Sequence, residues 1–303
     1  MRRTALALAA ALLGTAACGG GEVAKPPPKQ EAQPSWTDVF AATPDIYAVV
    51  RPQALKKDAI YGSFWRSLLG AAQARGLARG ATMTEAVEGA EEIIIGVNQS
   101  EAALILRGVP ARLDPKTITG DDGHALFHST SDERKRVVEY EVTDKKLGAG
   151  GALFVLPDRT WVGTLGTTRD RARASFASPM NQPAPKVSET ALVSVQLRGA
   201  FLRLFERHAL VGPLTKKLTS ATIELQPGSG GVVVGLSYSE ADATAYGEMQ
   251  AKKITADLAK DKDRAWLKDA KIAYEGNTVF VRVSVPPRLL EELPKTKGSD
   301  LGL

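Results

Sequence analysis

Four times along this chain, two β-rich apolar runs stand on either side of a short polar turn. Glu92–Val97 faces Ala102–Arg107 across Asn98-Gln99-Ser100, and Phe154–Leu156 faces Thr160–Leu165 across Pro157-Asp158-Arg159. Ala221–Leu225 faces Val232–Tyr238 across Pro227-Gly228-Ser229-Gly230, and Lys271–Tyr274 faces Thr278–Val285 across Glu275-Gly276-Asn277. Each spacing predicts a β-hairpin. Strands joined by tight turns run antiparallel, so these pairs commit the chain to antiparallel sheet.

Segments of helical period lie between the hairpins. Phe64-Trp65, Leu68-Leu69 and Ala72 form an apolar stripe, with Arg66 and Arg75 off it. Thr168–Phe176 predicts a helix carrying Arg169, Arg171 and Arg173. Phe201-Leu202 and Leu204-Phe205 repeat the earlier apolar pairing. Two capping boxes are predicted. Ser35 with Asp38 opens a short helix that puts Trp36 and Phe40 on one face, and Ser239 with Asp242 opens a long helix to about Lys260. Pro286 precedes a short helix over Pro287–Leu293, proline being suited to a first turn.

The order of elements recurs. Ile46–Val50 opens one series and Ala191–Leu197 opens another, and each series runs strand, helix, hairpin, helix or loop, hairpin, helix. The expected fold is α+β, in two quasi-repeated halves, with antiparallel sheets and helices packed on one face. The halves span residues 35–177 and 189–303. The proline-rich stretch 178–188 (SPMNQPAPKVS) is the linker between them.

Composition narrows the function classes. With one cysteine the chain has no internal disulfide and no cysteine-built zinc cage. Its net charge is +5, of which Arg2 and Arg3 supply two. The rest is a weak field spread over a long chain, without the basic stripe that nucleic-acid binding needs.

The N-terminus is distinctive. Met1-Arg2-Arg3 is a short positive region, and Thr4 to Ala17 is apolar and small. At 1.5 Å per residue this stretch spans about 21 Å, short of the ~30 Å hydrocarbon core of a bilayer. It therefore reads as a secretory signal rather than a retained span. The only cysteine follows at once, in Leu13-Gly14-Thr15-Ala16-Ala17-Cys18, with Thr15 where leucine is commonest. This stretch resembles the lipobox of bacterial lipoproteins, the site of type II signal peptidase. The resemblance covers residues 1–18. It implies a signal peptide over 1–17 and a thioether-linked diacylglycerol with an acylated amino group on Cys18. With no Asp at position 19, it also implies an outer-membrane destination, facing the periplasm. Two or more acyl chains, at ~0.8 kcal/mol per buried methylene, give stable anchoring. Residues 18–34 continue as a glycine- and proline-rich tether in which Glu22 and Glu31 balance Lys25 and Lys29. The body resembles only uncharacterised envelope lipoproteins, which implies no activity.

Motifs that would carry chemistry are sparse. His124 and His128 stand i, i+4 after Asp121-Asp122, but on a strand they would sit ~13 Å apart, too far for one ion. His208 lies beside an apolar helix face and reads as a boundary residue. Gly235-Leu236-Ser237-Tyr238-Ser239 fails the nucleophile-elbow pattern at its last letter. Gly148-Ala149-Gly150-Gly151 lacks the lysine of a phosphate loop, and Asp261-Lys262-Asp263 lacks a calcium-loop continuation. Carboxylate pairs such as Glu91-Glu92 and Glu291-Glu292 read as solvated element ends. The mixed run Asp132–Arg136 reads as a solvated turn. No catalytic residue, cofactor or metal site is expected, and Cys18 is the one site residue.

The sequence thus predicts a lipid-anchored envelope lipoprotein, non-catalytic, acting as a binding or assembly module. It reaches the membrane through the acyl chains on Cys18 and takes an envelope protein or an apolar ligand as partner. The alternative is a periplasmic carrier of a lipid or other apolar ligand. An enzyme with an unrecognised site ranks third. The helices bearing Phe64-Trp65-Leu68-Leu69 and Phe201-Leu202-Leu204-Phe205 are expected to cover the sheet. Were the sheet to curve away from them, an apolar groove would open, as in periplasmic lipid carriers.

Overall fold

The structure, a computed structural model, describes residues 33–74, 80–119, 123–131, 136–143, 151–180 and 182–292. The signal region, Cys18 and nearly all of the tether lie outside them. So do Asp121-Asp122, residues 132–135 of the charged run and residues 148–150 of the glycine stretch.

Among the described residues twelve strands form one sheet. In chain order they are β1 (Ile46–Val50), β2 (Glu92–Val97), β3 (Ala102–Arg107), β4 (Phe127–Ser129), β5 (Val138–Val142), β6 (Ala152–Val155) and β7 (Trp161–Leu165), then β8 (Val193–Arg198), β9 (Leu218–Leu225), β10 (Gly231–Tyr238), β11 (Lys271–Glu275) and β12 (Thr278–Ser284). Across the sheet the order is β11-β12-β10-β9-β8-β1-β2-β3-β7-β6-β5-β4. Every pairing among these strands is antiparallel. All four predicted hairpins form, and β9 and β6 begin earlier than predicted.

The two predicted halves contribute to this one sheet, joined where β1 pairs β8. Outward from that pair the order is β2-β3-β7-β6 on one side and β9-β10-β12-β11 on the other, with β5-β4 extending the first.

Among the described residues seven α-helices accompany the strands: α1 (Pro52–Lys57), α2 (Tyr61–Ala74), α3 (Gly80–Gly89), α4 (Thr167–Ala177), α5 (Gly199–Arg203), α6 (Ala241–Leu258) and α7 (Pro287–Glu292). Side chains alternate across a strand, so Ile93 and Ile94 of β2 face opposite ways. Ile93 packs with Leu106 and Trp161 against Leu55 of α1, Tyr61 and Trp65 of α2, Ala86 of α3 and Leu290 of α7. Ile94 packs with Ile105 and Val162 against Ala172 and Phe176 of α4, and against Trp36, Val39 and Phe40. A third cluster joins Leu202 of α5 and Ala243 and Ala251 of α6 to Ala221, Leu236 and Val279. The pairing registers put that cluster on the Ile93 face.

Most helices therefore share one face, as predicted, while α4 and the 3-10 turn Trp36–Val39 cover the other. The reason is legible in β2 and β3. Their runs EIIIGV and AALILR are apolar on both sides, and such strands need cover on both. Each large side chain so buried contributes roughly 1.5–3 kcal/mol.

Neither capping box forms as predicted. The Ser35 hydroxyl accepts from the Thr37 N–H, and Asp38 turns away to bind a distant segment. Helix α6 starts at a Glu240 N-cap without a side-chain cap bond, and Glu240 pairs with Lys217 instead. The 201–205 stripe is only partly helical. Its Phe201 and Phe205 rings meet edge to face at 6.1 Å.

Candidate apolar binding cavity

Cross-strand register defines a row that runs through ten strands. Ile272, Val281, Val234, Ile223, Val195, Ala48, Ile95, Leu104, Gly163 and Leu153 are directly opposed in turn. Directly opposed residues point to the same face. All of these side chains are therefore on the face that carries α1–α3 and α5–α7, and all are apolar or glycine.

Helical cover of that row is incomplete. Helices α1–α3 and α7 cover the neighbouring row Val50–Ile93–Leu106–Trp161, whereas α5 and α6 cover the far side of the second half. Over β2, β3 and β7 the row emerges. Ile95 is 37% exposed, Leu104 42% and, one row on, Leu165 50%.

A cavity of about 380 Å³ opens above this floor. Met83 of α3 forms one wall, and Phe127 of β4 and Val142 of β5 form another. Its depth is graded along β7. Leu165 lies at the exposed mouth, Gly163 follows two residues inward on the same face, and Trp161 is buried at the inner end. Every lining residue is Met, Ile, Val, Ala, Leu, Phe, Trp or Gly, apart from Thr164. The Thr164 hydroxyl donates to the Ala152 carbonyl at 3.4 Å. The lining offers no charge, nucleophile, acid or base. Its chemistry is the desolvation of hydrocarbon.

Two polar arrangements hold the surrounding frame. On the opposite face Glu139 of β5 receives both Arg173, at 2.7 and 2.8 Å, and Arg169, at 3.0 Å, from α4. Burial pushes the Glu139 carboxyl up, but the two guanidinium groups outweigh it and hold the group below its ordinary 4.5. At the other end of the strands, Glu92 lies between Arg51 and Arg107, at 3.2 and 2.5 Å. Arg51 also donates to the carbonyls of Ser188 and Ala191, and so secures the approach to β8.

The remaining residues singled out in the sequence do not converge on the cavity. His128 lies exposed on β4 opposite Glu141, on an edge of the sheet, and His124 is exposed before it. His208 accepts from the Leu210 and Val211 N–H groups within its own turn. Among the described residues no group of three or more His, Cys, Asp or Glu is placed to hold a metal ion. Among them, too, no helix is long and apolar enough to cross a membrane. Helix α2 covers sheet as expected, with Trp65 and Leu69 buried. The cavity opens on the same sheet face, over strands that α2 leaves bare. Its available sequence signal was Gly163, a glycine inside an otherwise β-rich strand.

The chain is thus an α+β protein built on a single twelve-stranded antiparallel sheet with an apolar cavity on its main helical face. No protein-family model matches it, and no curated protein does. Solved structures share the fold. Crystal form I of TP0453 aligns over 85% of this chain and 96% of its own, at 12% identity and a TM-score of 0.53. Crystal form III of TP0453 aligns over 85% and 95%, at 12% identity and a TM-score of 0.50. At that identity the likeness is one of fold.

Proposed function

We propose that this chain is a lipid-anchored lipoprotein of the bacterial cell envelope, held at the outer membrane and facing the periplasm, that acts as a non-catalytic binding module. The signal peptide is residues 1–17, the anchor is acylated Cys18, and residues 18–34 tether the body. The apolar cavity is the binding surface. The observation that carries this reading is the floor of Ile95, Leu104 and Leu165, large apolar side chains that stay 37%, 42% and 50% exposed beside the described helices. The carrier reading is favoured by one further observation. The cavity volume of 380 Å³ falls within the ~300–1,000 Å³ of small-ligand pockets.

Labelling with a radioactive fatty acid tests the anchor. The natural chain takes up label and sediments with membranes, and the Cys18→Ala chain takes up none. A natural chain without label, or equal labelling of both, contradicts the proposal.

A further inference from the structure

We infer that the cavity takes one hydrocarbon chain, and that Gly163 sets how far the chain enters. The inference rests on the binding-module reading and names the ligand of that same cavity.

The lining decides the chemistry. Apart from the Trp161 indole N–H at the inner end and the Thr164 hydroxyl, which is bonded to the Ala152 carbonyl, it has no side-chain donor or acceptor, so most polar groups carried inside would lose their water without replacement. Hydrocarbon enters without that loss, and a charged head stays at the Leu165 mouth. The volume bounds the size of the ligand: 380 Å³ lies at the lower end of the ~300–1,000 Å³ of small-ligand pockets, the scale of one acyl chain rather than of a whole membrane lipid.

Gly163 decides the depth. Its backbone is ordinary strand outside the left-handed region, so conformation does not require glycine. Packing does not require it either. A β-carbon built there would meet the Leu104 carbonyl oxygen at 3.5 Å and Leu104 Cβ at 4.0 Å, both ordinary contacts. The contrast is Gly96, on the opposite face, where the Phe40 ring occupies the place of the missing side chain. At Gly163 no side chain of the protein fills that place. It lies midway between exposed Leu165 and buried Trp161, so a chain passing inward from the mouth crosses it. The missing side chain at position 163 is the passage.

The test titrates octanoate, dodecanoate, hexadecanoate and dodecyl lysophosphatidylcholine into the full chain by calorimetry. The chain carries Cys18→Ala so that no acyl group of its own competes, and Gly163→Ala and Gly163→Leu are compared in that background. Thermal melting checks folding. A larger residue suits a strand at least as well as glycine, so neither variant should melt lower. Each methylene excluded costs about fourfold in affinity. Dodecanoate should bind once per chain, Gly163→Ala should weaken it several-fold, and Gly163→Leu should weaken it more than tenfold while affecting octanoate less. Equal binding of the lysolipid would identify one chain of a membrane lipid as the source, and binding of dodecanoate alone would identify a free acid. Failure of every chain to bind the Gly163 protein overturns the inference, and the labelling of Cys18 then still stands or falls separately. Equal dodecanoate affinity in the Gly163 protein and its Gly163→Leu variant overturns the role of Gly163.

Discussion

The tip of the Phe40 ring sits against Gly96, so close that a β-carbon on Gly96 would fall 2.2 Å from Phe40 Cζ. The contact locks the N-terminal turn onto the middle of β2. Gly96→Ala must displace a buried ring whose neighbours are Trp36, Val39 and α4. The cost expected of such overpacking is about 2 kcal/mol. Urea unfolding should show a lower midpoint for the variant with an unchanged slope.

Asp38 is fully buried, and its carboxylate accepts from the Met180 N–H at 3.1 Å and the Gln182 N–H at 2.8 Å. Ser175 adds a hydroxyl bond to the Asp38 carbonyl at 2.8 Å. One acidic residue near the start of the body thus holds the proline-rich segment that follows α4. Asp38→Ala leaves two donors without their acceptor, a loss of about 2–3 kcal/mol for bonds to a charged group. Limited proteolysis should cut the variant within 178–188 well before the natural protein.

Acid should weaken the fold through Glu139 and Asp58. Burial pushes the Asp58 carboxyl up, but the N–H groups of Tyr61, Gly228 and Ile60 outweigh it and hold the group below its ordinary 3.8. A group with a depressed pKa binds fewer protons folded than unfolded. Its stabilisation is present above the ordinary values, 4.5 for Glu139 and 3.8 for Asp58, and is lost as pH falls below them. The urea midpoint should fall steeply below those values, and Glu139→Gln should flatten part of that slope.

Alkali acts with the opposite sign. Burial pushes Tyr47, Tyr61 and Tyr238 up to about 12 from an ordinary 10.0. Their raised values mean that stability present below pH 10.0 is lost as pH rises towards 12. Tyrosinate absorbance from these three should appear together with unfolding. Tyr61→Phe also removes the hydroxyl bond to the Gly231 carbonyl at 3.0 Å, for a cost of about 1 kcal/mol.

The antiparallel skeleton was legible in the sequence because hairpins are local. Alternation and turn chemistry placed β2 with β3 to the residue, and β6 with β7 to within two. That β1 pairs β8 across some 140 intervening residues was not legible, because nothing local encodes it. The capping boxes misled for a related reason. Asp38 has the right spacing to cap its own turn, yet two N–H groups some 140 residues away offer it a buried pairing. An apolar groove was conceivable from the sequence but its place was not legible, because Leu104 and Leu165 have the same letters as buried strand residues and only the third dimension shows that they stay exposed. Cys18 is the reverse case, since its proposed role rests on sequence alone.

The most direct test is native mass spectrometry of the natural protein and its Gly163→Leu variant. Both are extracted from their own envelope in a steroid-based detergent, which has no alkyl chain to compete. The natural protein should begin at an acylated Cys18 and carry one further single-chain adduct, absent from the variant. A natural chain with no acyl mass on Cys18 and no adduct that distinguishes it from the variant would contradict the account.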